Sequence, residues 1–181
     1  MPIPFSLPLI DDDVIAEVND CLTNTGWLTT GPKVRLLEAE IGKLTGTPVL
    51  CVNSWTSGAM LMLRWFGIGP GDEVIIPAYT YSATALCAMN IGATVVMVDV
   101  RDDFTIDPAK LRAAITERTK AVIPVHLGGW PCDMPGICAL AAQHDLLVIE
   151  DCAQAHGAEV AGRPVGAFGD AAAFSFCQDK I

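Results

Sequence analysis

Basic residues are scarce in this sequence. Lys and Arg together number 11 against 21 Asp and Glu, so the formal net charge is −10 at pH 7. Proteins that bind nucleic acid or an anionic membrane need clustered cations, because phosphate groups dominate both partners. The composition therefore argues against both functions. Any phosphate bound here must be held locally, by backbone N–H groups and hydroxyls.

Several common signatures are also missing. No Walker or dinucleotide glycine pattern occurs, which removes the commoner phosphate-binding loops. The seven Cys have no paired spacing of the zinc-ribbon kind, and Cys152 with His156 would supply only two ligands, so no metal site is predicted. The first residues contain neither the basic nor the apolar segment of a signal peptide. Reduced cysteines in a cytoplasmic protein are the simplest interpretation.

Charge is absent from Val74 to Val98, a stretch long enough to suggest a membrane span. Pro77 interrupts it early, and several of the residues that follow are polar. Asn90-Ile91-Gly92 interrupts it again. The stretch is therefore better interpreted as a strand, a helix and a second strand inside a deep core.

Strands and helices alternate along most of the 181 residues. An arm over 1–13 ends in three Asp that cap the first helix, and the loop 23–32 then connects two helices, with Trp27 as a core residue in the structural interpretation. Because the predicted strands are continuous apolar runs, we expect an α/β fold with a mainly parallel sheet covered by helices on both faces. The predicted strands are 48–52, 73–77, 94–98, 120–125 and 146–149. The predicted helices are 14–22, 33–44, 107–115, 134–144 and the segments after 58 and 81.

Polar and aromatic residues follow the ends of these strands, where parallel sheets bind ligands. They are Thr56, Ser57, Tyr81, His126, Asp151 and Gln154. Hydroxyls at a strand-to-helix turn can bind an anion, although Ser54 or Thr56 can also be an ordinary helix cap. Tyr81 can stack on a flat ring or line the core. Asp151 alone can be a helix cap.

The stretch from Leu147 to Lys180 brings three kinds of group together. Asp151 ends an apolar run, Ser175 follows the end of another strand, and Lys180 comes shortly after it. A pyridoxal phosphate (PLP) site has these three parts. An acid faces the ring nitrogen, a hydroxyl contacts the phosphate, and a lysine forms a Schiff base with the cofactor. A lysine by itself would be interpreted as a solvated surface residue, but this context favours the functional assignment.

Several long sequence words resemble the DegT/StrS-type PLP-dependent aminotransferases. The matching words lie at 26–32, 53–57, 76–81, 124–127, 150–157, 166–170 and 174–180. They cover essentially the whole chain in the right order, which is more specific than any single motif. The sequence departs from the pattern at Gly128-Gly129-Trp130, where many relatives carry a larger aromatic residue and then Gly. The resemblance implies the large PLP-binding domain of the fold type I aminotransferases over 1–181, preceded by an arm.

The resemblance also implies roles for individual residues. Lys180 corresponds to the lysine that carries PLP and moves a proton between substrate and cofactor, and Asp151 to the acid that keeps the pyridine nitrogen protonated. Gln154 corresponds to a residue near the phenolic oxygen, and Tyr81 to the stacking aromatic. The phosphate contacts correspond to Thr56, Ser57 and Ser175. Substrate contacts are expected at Trp27, Thr29, Thr30 and His126, the first three in a loop near the family's dimer interface.

By this resemblance the function is transfer of an amino group, with glutamate as the expected donor, to a nucleotide-linked keto sugar in a cytoplasmic homodimer. Relatives continue for roughly as many residues again beyond the lysine, with a small C-terminal domain. Two alternatives stay open. One is an inactive truncated fragment that needs a completing chain. The other is a PLP-dependent sugar dehydratase, whose members lack the lysine at position 180.

Overall fold

A computed structural model of the chain describes residues 8–180. These divide into two compact units, one formed by residues 8–51 with 176–180 and the other by Val52–Ser175. Most of the arm predicted for 1–13 lies outside the described residues. The assignment of 1–181 to an arm and one large domain stays a prediction.

The first unit contains two α-helices joined through a π-helix. Asp11 caps the first helix by accepting a hydrogen bond from the backbone N–H of Val14 (3.0 Å), as the acidic cluster predicts. Pro occupies the first position of the second helix, where its missing N–H costs nothing. Lys33 pairs with Glu17 and, at 2.9 Å, with Asp20 across the two α-helices. The bounds are α1 Asp12–Asp20, the π-helix Cys21–Thr25 and α2 Pro32–Thr45.

In the segments that flank α2, one predicted strand is wrong and the structural alternative for Trp27 does not hold. The stretch 48–52 forms no strand, and Leu50 is 77% exposed. Its residues join no strand ladder among the described residues. Trp27 is 57% exposed, so it is not a core residue of the described chain.

The second unit is built on a five-stranded sheet in the order β2-β1-β3-β4-β7. All four pairings in this sheet are parallel, which confirms the predicted mainly parallel sheet. The third strand is shorter than predicted, although Val125 returns to the sheet as an isolated bridge with Asp151. The strands are β1 Glu73–Pro77, β2 Thr94–Val98, β3 Thr119–Val122, β4 Leu147–Asp151 and β7 Ala171–Ala173, with a separate antiparallel hairpin of β5 Glu159–Val160 and β6 Arg163–Pro164.

Helices cover both faces of this sheet. Val74 and Ile76 of β1 pack with the first two helices of the unit on one face, whereas Ile75 packs with the last two on the other. This alternation follows from the two-residue period of a strand. The helices are α3 Trp55–Trp65, α4 Ser82–Met89, α5 Pro108–Ala114 and α6 Met134–Gln143, with a short 3₁₀ turn at Leu127–Gly129.

The indole N–H of Trp55 donates to the carbonyl of Ala173 at 3.0 Å, in a buried contact. It joins the first helix of this unit to its last strand. The uncharged stretch 74–98 forms β1, α4 and β2, as predicted. Within residues 8–180, no helix is both long enough and apolar enough to cross a membrane.

Candidate active site

Asp151 is the last residue of β4, and its side chain lies at the carboxyl edge of the sheet. The residue is 5% exposed. Its Oδ2 accepts a hydrogen bond from the hydroxyl of Thr84 at 2.9 Å, and its Oδ1 accepts one from the backbone N–H of Ala153 at 3.1 Å. Both donors are neutral. A buried carboxylate held by neutral donors is suited to pair with a cationic group of a ligand.

Sequence reasoning missed the role of Thr84. This threonine is 1% exposed in α4, and its hydroxyl lies 2.9 Å from that of Thr80. The two threonines are four residues apart, as are the hydroxyls of neighbouring turns at the start of a helix. The sequence did contain a signal for Thr84. It carries a hydroxyl within an otherwise apolar run and lies one helical turn after Thr80.

The candidate phosphate site is the N-terminus of α3. Ser54 caps this helix, because its hydroxyl oxygen accepts the backbone N–H of Ser57 at 3.1 Å and lies 2.9 Å from the Ser57 hydroxyl. The capping alternative therefore holds for Ser54 and not for Thr56. Thr56 and Ser57 are half-buried in the first turn, where backbone N–H groups favour an anion. Ser175 lies two residues beyond β7 and is half-buried.

Tyr81 and Gln154 follow the ends of two other strands. Tyr81 precedes α4 and is 72% exposed, so it does not line the core. Gln154 Oε1 accepts the backbone N–H of Gly128 at 2.7 Å, which joins the loop after β3 to the segment after β4. Gly129 has φ of +82° and a Cβ there would lie 3.1 Å from the Gln154 carbonyl oxygen. The close approach explains why glycine occupies position 129.

His126 is fully buried, and both of its ring nitrogens are engaged. Nδ1 accepts the backbone N–H of Cys132 at 3.1 Å, so in the neutral ring the proton is on Nε2, which donates to Glu150 at 3.2 Å. This burial argues against the substrate contact expected for His126. The ring instead supports a second buried acid, next to Asp151 in β4.

Glu150 is also fully buried and holds the loop 166–169. Its two carboxylate oxygens accept backbone N–H groups of Gly166, Phe168 and Gly169 at 2.8, 2.7 and 2.8 Å. Burial by itself raises the pKa of this carboxyl group, but the hydrogen bonds from His126 and the three backbone N–H groups outweigh it. The pKa of Glu150 therefore lies below its ordinary value of 4.5.

Ligand atoms of His126, Glu150 and Cys152 lie within 4.8 Å of one another, as a metal site would require. The hydrogen bonds do not favour one. His126 presents no free lone pair, and burial, followed by the charges of Glu150 and Asp151, raises the pKa of the Cys152 thiol. Metal ligands must be deprotonated, so this cluster is better described as a hydrogen-bonded core.

Lys180 and the residues Trp27, Thr29 and Thr30 belong to the first compact unit. The Lys180 side chain is mostly buried, and its Nζ lies 3.6 Å from Oδ2 of Asp179. Trp27, Thr29 and Thr30 are exposed. The roles of these four residues stay predictions, as do those of the residues in the second unit.

Comparison with known proteins decides the family. The sequence profile of the DegT/DnrJ/EryC1/StrS aminotransferase family matches residues 8–181. This chain belongs to that family. Its members are PLP-dependent aminotransferases, and the α/β fold described above is theirs.

Individual relatives narrow the comparison. SpsC of Bacillus subtilis strain 168, a spore coat polysaccharide biosynthesis protein, is 47% identical over 180 residues, which cover 98% of this chain and 46% of SpsC. The UDP-N-acetyl-3-dehydro-alpha-D-glucosamine 3-aminotransferase of Acidithiobacillus ferrooxidans is 47% identical over 187 residues, which cover 97% of this chain and 50% of the enzyme. The chain therefore spans about half the length of these relatives.

Solved structures support the same family membership. The PLP form of Spr1654 from Streptococcus pneumoniae, classed as a sugar aminotransferase, matches with a TM-score of 0.93 and 40% identity. The match covers 99% of this chain and 50% of Spr1654, and the PMP form matches with the same TM-score. Pyridoxal phosphate is thus the cofactor of this family. The buried Asp151 carboxylate with neutral donors and the half-buried hydroxyls at the start of α3 fit its two ends.

Proposed function

We propose that this chain is part of a PLP-dependent aminotransferase that acts on a nucleotide-linked keto sugar. The observation that carries the proposal is the Asp151 carboxylate, which is buried at the carboxyl edge of the sheet and accepts hydrogen bonds from the Thr84 hydroxyl and the Ala153 N–H. Such a carboxylate can hold a proton on a pyridine nitrogen by a charge-assisted hydrogen bond. Bound PLP supplies an electron sink for the carbon next to the substrate nitrogen.

The other residues are proposed to orient the cofactor and to bind its phosphate. Thr56 and Ser57 bind the phosphate through the first turn of α3, with Ser175 as a further hydroxyl. Tyr81, exposed just beyond β1, provides a flat apolar face for a ring. Gln154 is proposed to approach the phenolic oxygen. Its Oε1 already accepts the Gly128 N–H, so its amide NH₂ remains the donor for that contact.

Lys180 is the residue proposed to hold the cofactor covalently and to carry the proton in each half-reaction, through its Nζ. The amino donor is proposed to be glutamate. The acceptor is proposed to be a keto sugar on a nucleotide, supported by the relative from Acidithiobacillus ferrooxidans, whose name specifies a UDP-linked 3-dehydro sugar. A cytoplasmic homodimer, with Trp27, Thr29 and Thr30 near substrate, completes the proposal.

A second candidate is favoured by one observation. Val14, Ile15 and Val18 of α1 are exposed, and so is Leu22 of the adjoining π-helix. A contiguous exposed apolar surface commonly marks an interaction site. The chain also spans about half of its relatives. In this alternative the 181 residues are inactive until a completing chain is present.

One labelling experiment tests both the aminotransferase proposal and the inactive-fragment alternative. The 181-residue chain and the full polypeptide that carries it are treated with stoichiometric PLP and then borohydride, which fixes a Schiff base. We expect the label on Lys180, its loss in Lys180→Ala, and its retention in Lys120→Ala, a change at an exposed lysine of β3. A label on the full polypeptide alone would favour the second candidate. A label that persists in Lys180→Ala would refute the assignment of this lysine.

A further inference from the structure

The orientation of the Asp151 carboxylate is fixed from two sides. Thr84 donates its hydroxyl proton to Oδ2 at 2.9 Å, and the N–H of Ala153 donates to Oδ1 at 3.1 Å. A donor on each oxygen opposes rotation of the carboxylate about its Cβ–Cγ bond. Ala153 contributes a backbone N–H, which any residue except proline would supply. Thr84 contributes a side chain, so it is a position where sequence controls the carboxylate.

The hydroxyl of Thr84 is itself oriented. A hydroxyl has one proton, and Thr84 gives its proton to Asp151. The 2.9 Å contact between the hydroxyls of Thr80 and Thr84 must then have Thr80 as the donor. The three side chains form a directed chain of hydrogen bonds from Thr80 through Thr84 to Asp151. Each bond polarises the next in a buried environment.

The placement of Thr84 is specific. It is 1% exposed in the helix that follows Tyr81, and it lies 67 residues from Asp151 in the sequence. Burying a hydroxyl without a partner is unfavourable, so an apolar residue would be the default at this helix position. The neighbouring buried positions of α4, Cys87 and Ala88, are apolar in this way.

We propose that Thr84, supported by Thr80, is a positioning residue that sets the orientation in which Asp151 meets the protonated ring nitrogen of the cofactor. This inference rests on the proposed function. Thr84 acts through Asp151 and touches neither cofactor nor substrate. Its hydroxyl constrains Oδ2, so that the carboxylate presents one defined lone pair to the ring rather than sampling several orientations.

The test compares two substitutions in the full polypeptide. Thr84→Val has the same shape without the hydroxyl, and Thr84→Ser keeps the hydroxyl without the methyl. The dissociation constant for PLP and the absorption spectrum of the bound cofactor, which reports on ring protonation, are measured together with the urea midpoint of the apo protein. We expect Thr84→Val to weaken PLP binding by about tenfold or more and to shift the spectrum, because a hydrogen bond to a charged group is lost. Thr84→Ser should stay within about threefold of the unmodified protein.

Thr119→Val is the matched control. Thr119 is a buried threonine whose hydroxyl lies 3.4 Å from the carboxylate of Glu73, at the amino end of the sheet. It should alter the urea midpoint without altering the spectrum. The same spectrum and PLP affinity in Thr84→Val as in the unmodified protein would overturn the inference. So would a Thr84→Ser variant as impaired as Thr84→Val. An unmodified protein that binds no PLP would instead overturn the proposed function, and the inference with it.

Discussion

Replacing Glu150 by Gln should remove much of the stability of the second unit. Glu150 has four donors for two oxygens: Phe168 and Gly169 on Oε1, Gly166 and His126 on Oε2. The carbonyl oxygen of Gln can keep two of them, and its NH₂ then faces the other two. His126 cannot rescue the pair by accepting, because its Nδ1 already takes the Cys132 N–H. Two unsatisfied buried donors cost about 1–3 kcal/mol each, or about 2–6 kcal/mol together.

The sign of the pH dependence follows from the lowered pKa of Glu150. A carboxyl group whose pKa is lower in the folded state stabilises the fold above its unfolded pKa, and that stability is lost as pH falls through the folded pKa. The difference in unfolding free energy between the unmodified protein and Glu150→Gln should therefore have its largest value near neutral pH. It should narrow below the ordinary value of 4.5 as Glu150 takes up a proton.

Urea denaturation followed by circular dichroism, from about pH 7 down to about pH 3, measures this difference. Glu159→Gln is the control, since it makes the same chemical change at an exposed residue of the β5–β6 hairpin. The reasoning is refuted by a loss below about 1 kcal/mol at neutral pH. It is equally refuted by a loss that stays constant across the acid range.

Two further predictions concern the loop 166–169 and the cysteines. Gly166→Ala should destabilise the fold by about 2–4 kcal/mol in urea unfolding, since Gly166 has φ of +85° and a Cβ would lie 2.7 Å from the Phe174 ring; Gly162→Ala, with φ of +77° and open space, should cost only about 1 kcal/mol. A similar loss in both would show that the ring contact is unimportant. Burial raises the pKa of Cys87 and Cys132 to about 12, whereas Cys177 is exposed. A thiol reagent near pH 8 should therefore modify Cys177 quickly and the other two only after denaturation, and equal rates in mass spectrometry would contradict this.

Much of the fold could be predicted because burial and sequence pattern agree there. β1 is buried at all five residues, follows Gly71 closely and ends at Pro77, so its run of apolar residues predicts a strand correctly. The stretch 48–52 has a similar pattern but pairs with no other strand among residues 8–180, and no local pattern reveals this. β7 is three alanines, which have low strand propensity, and it is a strand because β4 pairs with it.

The sequence could indicate a candidate site residue only where its position in a strand or helix marks it. Asp151 could be located because a carboxyl end of a parallel strand is a place for ligands. Its partner Thr84 lies in α4, 67 residues away in the sequence, so their contact required the tertiary structure. Glu150 is adjacent to Asp151, and strand alternation directs its side chain to the opposite side of β4, toward His126.

The hydrogen bond between Trp55 and Ala173 has a consequence for how the protein is made. It joins residues 118 positions apart, and β7 also completes the pairing of β4. As the chain emerges from the ribosome, α3 is exposed long before its partner strand has been synthesised. A parallel sheet with such distant contacts has a high contact order and folds slowly. The apolar face of α3 must therefore remain unaggregated while the residues between Trp55 and Ala173 are synthesised, so a chaperone that binds this helix would assist folding.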